Sequence, residues 1–152
     1  MRKFFIILAL VALVMLPVMA GSFAIGLEAG MPAGVTVDYQ VSDKVDIYTT
    51  AAFGYAGKTF IDTVVGAQYK ITSFSIKDVN FDVLAGIQSG MLFYVGDFKG
   101  ADFVTRLTGT VAYNWNKFTA YLRGGIGGRL ELTDKAKIGL SWSAALGCTY
   151  HL

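Results

Sequence analysis

The sequence predicts an all-β chain, an eight-stranded antiparallel up-and-down transmembrane β-barrel. Three observations predict it. The 152 residues are 54% hydrophobic and only 16% charged, with a mean hydropathy of +0.51, whereas soluble domains carry about 25% charged residues. After residue 20 no run of ~18 apolar residues is long enough for a membrane helix. The last sixteen residues, 137–152, alternate without a break. Ile138, Leu140, Trp142, Ala144, Leu146, Cys148, Tyr150 and Leu152 form one face, and Gly139, Ser141, Ser143, Ala145, Gly147, Thr149 and His151 form the other. A strand repeats every two residues, so one face is large and apolar and the other small and weakly polar. In lipid such a strand must be paired on both edges.

Residues 1–20 read as a secretory signal peptide. Arg2 and Lys3 precede the apolar run 4–16, and Val18-Met19-Ala20 supplies a small-x-small cleavage site. Gly21 would be the first mature residue, and no cysteine there marks a lipoprotein. Residues 21–152 are then the barrel, with no further domain expected. Strand one is expected over 22–30, with Phe23, Ile25, Leu27 and Ala29 on one face, and Pro32 and Gly34 make the turn at 31–34. Strand two, 35–41, sets Val35, Val37, Tyr39 and Val41 against Thr36, Asp38 and Gln40. Strand three, 45–55, sets Val45, Ile47, Thr49, Ala51, Phe53 and Tyr55 against Asp46, Tyr48, Thr50, Ala52 and Gly54.

Strand four, 62–74, opposes Val65, Ala67, Tyr69 and Ile71 to Val64, Gly66, Gln68 and Lys70. Strand five, 79–89, opposes Val79, Phe81, Val83, Ala85 and Ile87 to Asn80, Asp82, Leu84, Gly86 and Gln88, and 90–101 is the longest loop. Strand six, 102–113, carries Arg106 on the second face, and a hairpin turn is expected at 114–116. Strand seven, 117–129, carries Tyr121 and Arg123 on that face, and 130–136 is a charged loop before strand eight. Eight strands put both chain ends on one side.

The apolar face belongs to lipid and the other to the lumen. Glycine, alanine, serine and threonine make a poor coat for a soluble protein but fill the narrow interior of an eight-stranded barrel. Aromatics also gather at strand ends: Phe23, Tyr39, Tyr69, Phe81, Tyr113, Phe118 and Tyr150 at one, Phe53, Tyr55 and Phe103 at the other. Two such bands are the girdles of a bilayer-spanning barrel. The alternative is a soluble lipocalin-like barrel with its apolar face inward around a hydrophobic ligand.

On this pattern, residues 21–152 resemble the small eight-stranded outer-membrane barrels of OmpA/OmpX-like architecture. The end of the chain resembles the signal that such barrels show to the barrel-assembly machinery, with Gly147, Tyr150 and Leu152 at the matching positions. Leu152 stands where an aromatic is usual, and Ala145 where a polar residue is common. The resemblance implies the bacterial outer membrane as location, with its lipid and the assembly machinery as partners.

The lumen face carries few charges: Glu28, Asp38, Asp46, Lys70, Asp82, Arg106, Arg123 and Arg129. Buried charges need partners, so Glu28 is expected to bridge to Arg123 or Arg106 near mid-depth, with Asp38, Asp46, Lys70 and Asp82 near the lower mouth. Such a network either orders and plugs the lumen or gates a narrow ion path. Catalysis has little support. The lone histidine, His151, has no serine or acid tied to it by spacing, and one histidine with one cysteine makes no zinc site. No metal or cofactor is expected. Without Arg2 and Lys3, eleven basic residues balance eleven acidic ones, which leaves nucleic-acid binding without electrostatic support. The loop residues Phe93, Tyr94 and Phe98 are candidates for contact with a membrane interface or a surface partner that the sequence does not name. The reading is a non-enzymatic outer-membrane barrel with a structural or surface-interaction role; its alternatives are a narrow channel and the soluble barrel.

Overall fold

The structure, a computed structural model, describes residues 22–55, 57–95, 100–132 and 137–152. The expected signal peptide and Phe98 lie outside them. The described residues form eight strands: β1 (Ser22–Met31), β2 (Ala33–Ser42), β3 (Val45–Tyr55), β4 (Thr59–Ile76), β5 (Val79–Tyr94), β6 (Ala101–Trp115), β7 (Phe118–Glu131) and β8 (Lys137–His151). Each pairs antiparallel with the next, and β8 returns to β1, closing the barrel.

The two ends can be told apart by their connections. The lower end holds the tight turns after β2, β4 and β6 and the end of β8. Lys77 and Asp78 both take positive φ there, as does Asn116, the twist that lets a two-residue turn join strongly twisted strands. The upper end holds the connections after β1, β3, β5 and β7. At the lower end β8 is tied on both edges, since His151 N donates to Lys117 O at 2.8 Å and Leu152 N to Phe23 O at 2.9 Å.

Register fixes the tilt. Following paired residues from Glu28 through Gly34, Ala52, Asp62, Leu92, Asp102 and Glu131 leads to Lys137, yet Glu28 itself pairs with Gly147 on the same strand. The stagger is ten residues along β8, and a stagger of that size in eight strands tilts them by roughly 40°. Apolar residues point outward: Leu27, Val65, Leu107, Leu122, Ile126 and Leu146 are all exposed. Around the lower end the outward rings touch in pairs, Phe23 with Tyr39, Phe74 with Phe81, Phe81 with Tyr113 and Phe118 with Tyr150, at 4.7–5.7 Å between centroids. This orientation is the reverse of a soluble barrel, whose greasy face would surround the lumen.

The strands match the expected order, but several ends move. β4 begins three residues earlier than expected and β5 runs five residues further, to Tyr94. The expected loop residues Phe93 and Tyr94 are therefore wall residues: Phe93 pairs with Ile61 and Ala101, and Tyr94 with Phe60. Alternation fades there because the upper lumen is itself apolar, with Phe60, Val64, Leu92 and Val104 packed as a buried cluster. The turn between β1 and β2 shrinks to Pro32, and that between β6 and β7 begins at Asn116.

Candidate functional site: the lumen

The lumen is built in layers along its axis. Lowest is an open vestibule of about 330 Å³. Asp38, Asp46, Lys70 and Asp82 line it, as the sequence places them, with His151 at its edge. Lys70 Nζ lies 3.4 Å from Asp82 Oδ2, and Asp82 also accepts from Asn114 Nδ2 at 3.0 Å and Ser73 Oγ at 2.6 Å. Asp46 faces the vestibule without an ion pair among the described residues. The His151 ring sits 2.8 Å from Thr119 Oγ1, a rim hydrogen bond.

Above the vestibule Arg123 crosses the lumen. Its Nη1 donates to Glu28 Oε1 at 2.9 Å, the expected pair. Its guanidinium lies 3.7 Å from the Tyr48 ring centre and 4.7 Å from that of Tyr121, close enough for cation–π attraction to both. The rings are anchored in turn: Tyr121 OH donates to Glu28 Oε1 at 2.7 Å and Tyr48 OH to Gln88 Oε1 at 2.8 Å. Asp38 Oδ1 stands 4.0 Å from Arg123 Nη2. Two glycines make this layer possible. A Cβ on Gly66 would collide with the Tyr48 ring, and one on Gly147 with the Tyr121 ring. Gly147, singled out as part of an assembly signal, thus also seats a lumen side chain. The other two residues of that expected signal face out: Tyr150 lies tilted against Phe118 with Lys117 Nζ 5.6 Å from its ring centre, and Leu152 is exposed.

One layer higher, Arg106 pairs with Asp62 at 2.8 Å and not with Glu28, and its Nε donates to Ser141 Oγ at 2.8 Å. Both charged residues are only 2% exposed. Asp62 Oδ1, by contrast, has no hydrogen-bond partner among the described residues. Nearest the upper mouth, Arg129 Nη2 meets Glu131 Oε1 at 3.0 Å and Nε lies 3.5 Å from Asp102 Oδ2. Tyr94 OH links the two ends of this cluster, accepting from Arg129 Nη1 and donating to Asp102 Oδ2, each at 3.0 Å. Tyr94 is therefore a lumen residue.

Sequence reasoning missed Asp62, Asp102, Tyr48 and Tyr121 as members of the network. Their parity was readable, because each shares a face with a named lumen charge. Which charge meets which across the barrel depends on the stagger, and no single strand contains that information. Between the Arg123 and Arg106 layers the free space is about 20 Å³, room for about one water. Among the described residues no cluster of histidine, cysteine, aspartate and glutamate could hold a metal ion.

No protein-family model and no curated protein matches the sequence. Among solved structures, the chain is similar to the N-terminal β-barrel domain of Pseudomonas aeruginosa OprF, at 19% identity and a TM-score of 0.54, over 87% of this chain and 99% of that one. It is more distantly similar to Ail, the attachment invasion locus protein of Yersinia pestis, at 12% identity and a TM-score of 0.40, over 87% and 97% of the two chains. The likeness to the OprF domain is one of fold: this chain has the architecture of the small eight-stranded outer-membrane barrels.

Proposed function

We propose that the protein is an integral outer-membrane barrel, non-enzymatic, whose lumen is plugged and whose role is structural or exercised at its upper surface. One observation carries the reading. Arg123 and Arg106, 5% and 2% exposed, cross the lumen in successive layers, each bound to a carboxylate, with room for about one water between them. Moving either arginine aside would leave a buried carboxylate unpaired, a cost of several kcal/mol. The outward apolar band between two aromatic bands supports insertion in a bilayer. On this reading residues 1–20 are removed on export, and the assembly machinery reads Gly147, Tyr150 and Leu152.

A second reading has its own support. The vestibule below and a chamber of about 130 Å³ above the plug are the two halves that a narrow gated path would need. Planar-bilayer recording separates the readings, with unboiled-gel mobility confirming the folded barrel. A folded, silent protein is expected. Steady discrete openings would put the channel first. Washing membranes in high salt tests insertion independently, since an integral barrel stays in the pellet.

A further inference from the structure

One hairpin outruns the barrel wall at its lower end. β3 holds β4 as far as the Val45–Tyr69 pair and the bond from Lys70 N to Lys44 O at 2.8 Å. β6 holds β5 only from the Phe81–Tyr113 pair upward. Among the described residues, the stretch 71–80 therefore pairs only within itself and with the foot of β5. Past Tyr69, its residue in the lower aromatic band, β4 takes six paired steps to Ile76. At ~3.3 Å per residue and a tilt of ~40°, that is roughly 15 Å down the axis. By contrast β2 passes Tyr39 by three residues, β6 passes Tyr113 by two and β8 passes Tyr150 by one.

A β-bulge decides which face of this hairpin looks out. Ile71 is the extra residue between the Lys70–Leu84 and Thr72–Val83 pairs. One inserted residue inverts the alternation that follows it. Without it Phe74 and Ile76 would continue the inward parity of Lys70; with it they face outward, 42% and 56% exposed. Phe74 stacks on outward Phe81 at 5.3 Å between centroids, and Phe81 touches Tyr113, so this face is continuous with the lower aromatic band. One further step of the β5–β6 register sets exposed Trp115 across from Val79. The inner face is polar: Ser73 Oγ donates to Asp82 Oδ1 at 2.6 Å and Ser75 Oγ to Asn80 Oδ1.

We infer that the outer face of this hairpin docks in the headgroup layer of the lower leaflet, against zwitterionic phospholipid. Three arguments commit it to this occupant. Unpaired strand edges are intolerable in the hydrocarbon core, and a lone two-stranded hairpin is at best marginally stable in water. The headgroup layer offers apolar contact to one face and water to the edges, as it does for amphipathic helices. The apolar surface past the band is also small: Ile71, Phe74, Ile76, Val79 and Trp115. A stable protein interface draws on about 20–30 residues and ~800 Å² a side, so these side chains suit lipid better than a second protein. Finally, each of the three tight lower turns carries an exposed lysine, Lys44, Lys77 and Lys117, whose stem can carry the ammonium to lipid phosphate. Asp43 and Asp78 beside the first two match the ammonium of a zwitterionic head. The hairpin is thus an interfacial anchor on one side of the barrel, where the outward apolar face reaches deepest into the lower leaflet's surface.

The inference rests on the membrane reading, and reporters at two heights separate their failures. The chain has two tryptophans, Trp115 and Trp142. The protein is reconstituted at low density in phosphatidylcholine vesicles, with unboiled-gel mobility confirming the folded barrel. Trp115→Phe leaves Trp142 as sole reporter, and brominated phosphatidylcholine should quench it; absence of quenching would overturn the membrane reading itself. With Trp115→Phe and Trp142→Phe combined, Ile76→Trp puts the reporter on the hairpin's outer face, and Val79→Trp puts it on the neighbouring strand. Phosphatidylcholine brominated close to its headgroup should quench either reporter about twofold more than lipid brominated near its chain ends. Phe74→Asp sets a charge on the docking face and should cut that quenching about threefold, whereas Ser75→Asp, on the inner face, should leave it unchanged. Absence of quenching by the shallow lipid, with Trp142 quenched, would leave the hairpin in water and overturn the inference. Stronger quenching by the deep lipid would overturn it too, as would emission that shifts to the blue only when the protein is concentrated in the bilayer, which would seat a second copy there. Indifference to Phe74→Asp would overturn docking through this face.

Discussion

The lower and upper halves of this barrel obey different rules. Below, every strand is paired nearly to its turn, and β8 is tied at its tip to both neighbours. Above, the β1–β2 hairpin stops short and leaves a stretch of β8 with one neighbour. The interiors differ in the same sense. The Arg123 guanidinium is packed between two rings seated over glycines, while the Arg106 layer holds its pair without aromatic rings against it; each layer keeps one buried polar atom without a partner among the described residues, Arg123 Nε in the first and Asp62 Oδ1 in the second. The difference teaches that one hairpin's length decides how far up the wall of a closed barrel both edges of a strand stay paired. The lower half is the more fully paired wall, and both halves carry a buried arginine–carboxylate pair across the lumen.

Amide exchange gives the largest test of this contrast. Along residues 137–143 alternate amides point to β7 and to the open edge. Those facing β7 should be protected by close to the global stability, while the edge-facing ones open at almost no cost. A gap of several kcal/mol corresponds to rates on the order of 10⁴-fold apart. From residue 144 to 150, where β1 is present, the alternation should vanish. Uniform protection across the whole of β8 would mean that its upper edge is covered.

The next effect lies in the middle layer. Glu28→Ala strands Arg123 without its carboxylate and removes the acceptor of Tyr121 OH. Breaking a buried pair costs about 3–5 kcal/mol, so urea unfolding followed by unboiled-gel mobility should show a large drop in midpoint. Glu28→Gln keeps an oxygen for the tyrosine and should lose about half as much. If Glu28→Ala were neutral, the central plug would be ornamental, and the lower half would owe its order to the wall alone.

Gly66→Ala and Gly147→Ala test the same layer more gently. Either methyl enters space held by a tyrosine ring, and overpacking of this kind costs about 1–3 kcal/mol. Both variants should also loosen the grip on Arg123, so combining each with Glu28→Ala should cost less than the sum of the two changes, as coupled neighbours do. Gly109, whose added Cβ would meet nothing within 4 Å, is the matched control and should tolerate alanine.

How far the sequence reaches follows the same division. The lower half was legible because its two faces differ in kind: Val111, Tyr113, Phe118 and Tyr150 outside, Thr110, Thr119 and Thr149 inside. Parity alone also placed Glu28, Arg106 and Arg123 in the lumen. In the upper half Leu92 and Phe93 are both apolar though one faces the lumen and the other lipid, so alternation disappears and the wall reads as a loop. Asp62 shares the parity of Lys70 on strand four, so its face was readable. Its pairing with Arg106 depends on a ten-residue stagger that only the closed ring defines.

The smallest effect belongs to the lower rim. Lys70 and Asp82 pair at 3.4 Å with side chains 31% and 19% exposed, so water screens them, and such pairs are worth about 0.2–1 kcal/mol. Asp82→Asn keeps the shape and can still engage Ser73 and Asn114. Its loss of stability should stay below about 1 kcal/mol and shrink further near 1 M salt, where the screening length falls to about 3 Å. Glu28→Gln, buried beside Arg123, should be nearly blind to salt. A salt-insensitive loss above about 2 kcal/mol at Asp82 would show that the rim is knit as tightly as the plug, and the strength of the lower half would then reside in its mouth as much as in its middle.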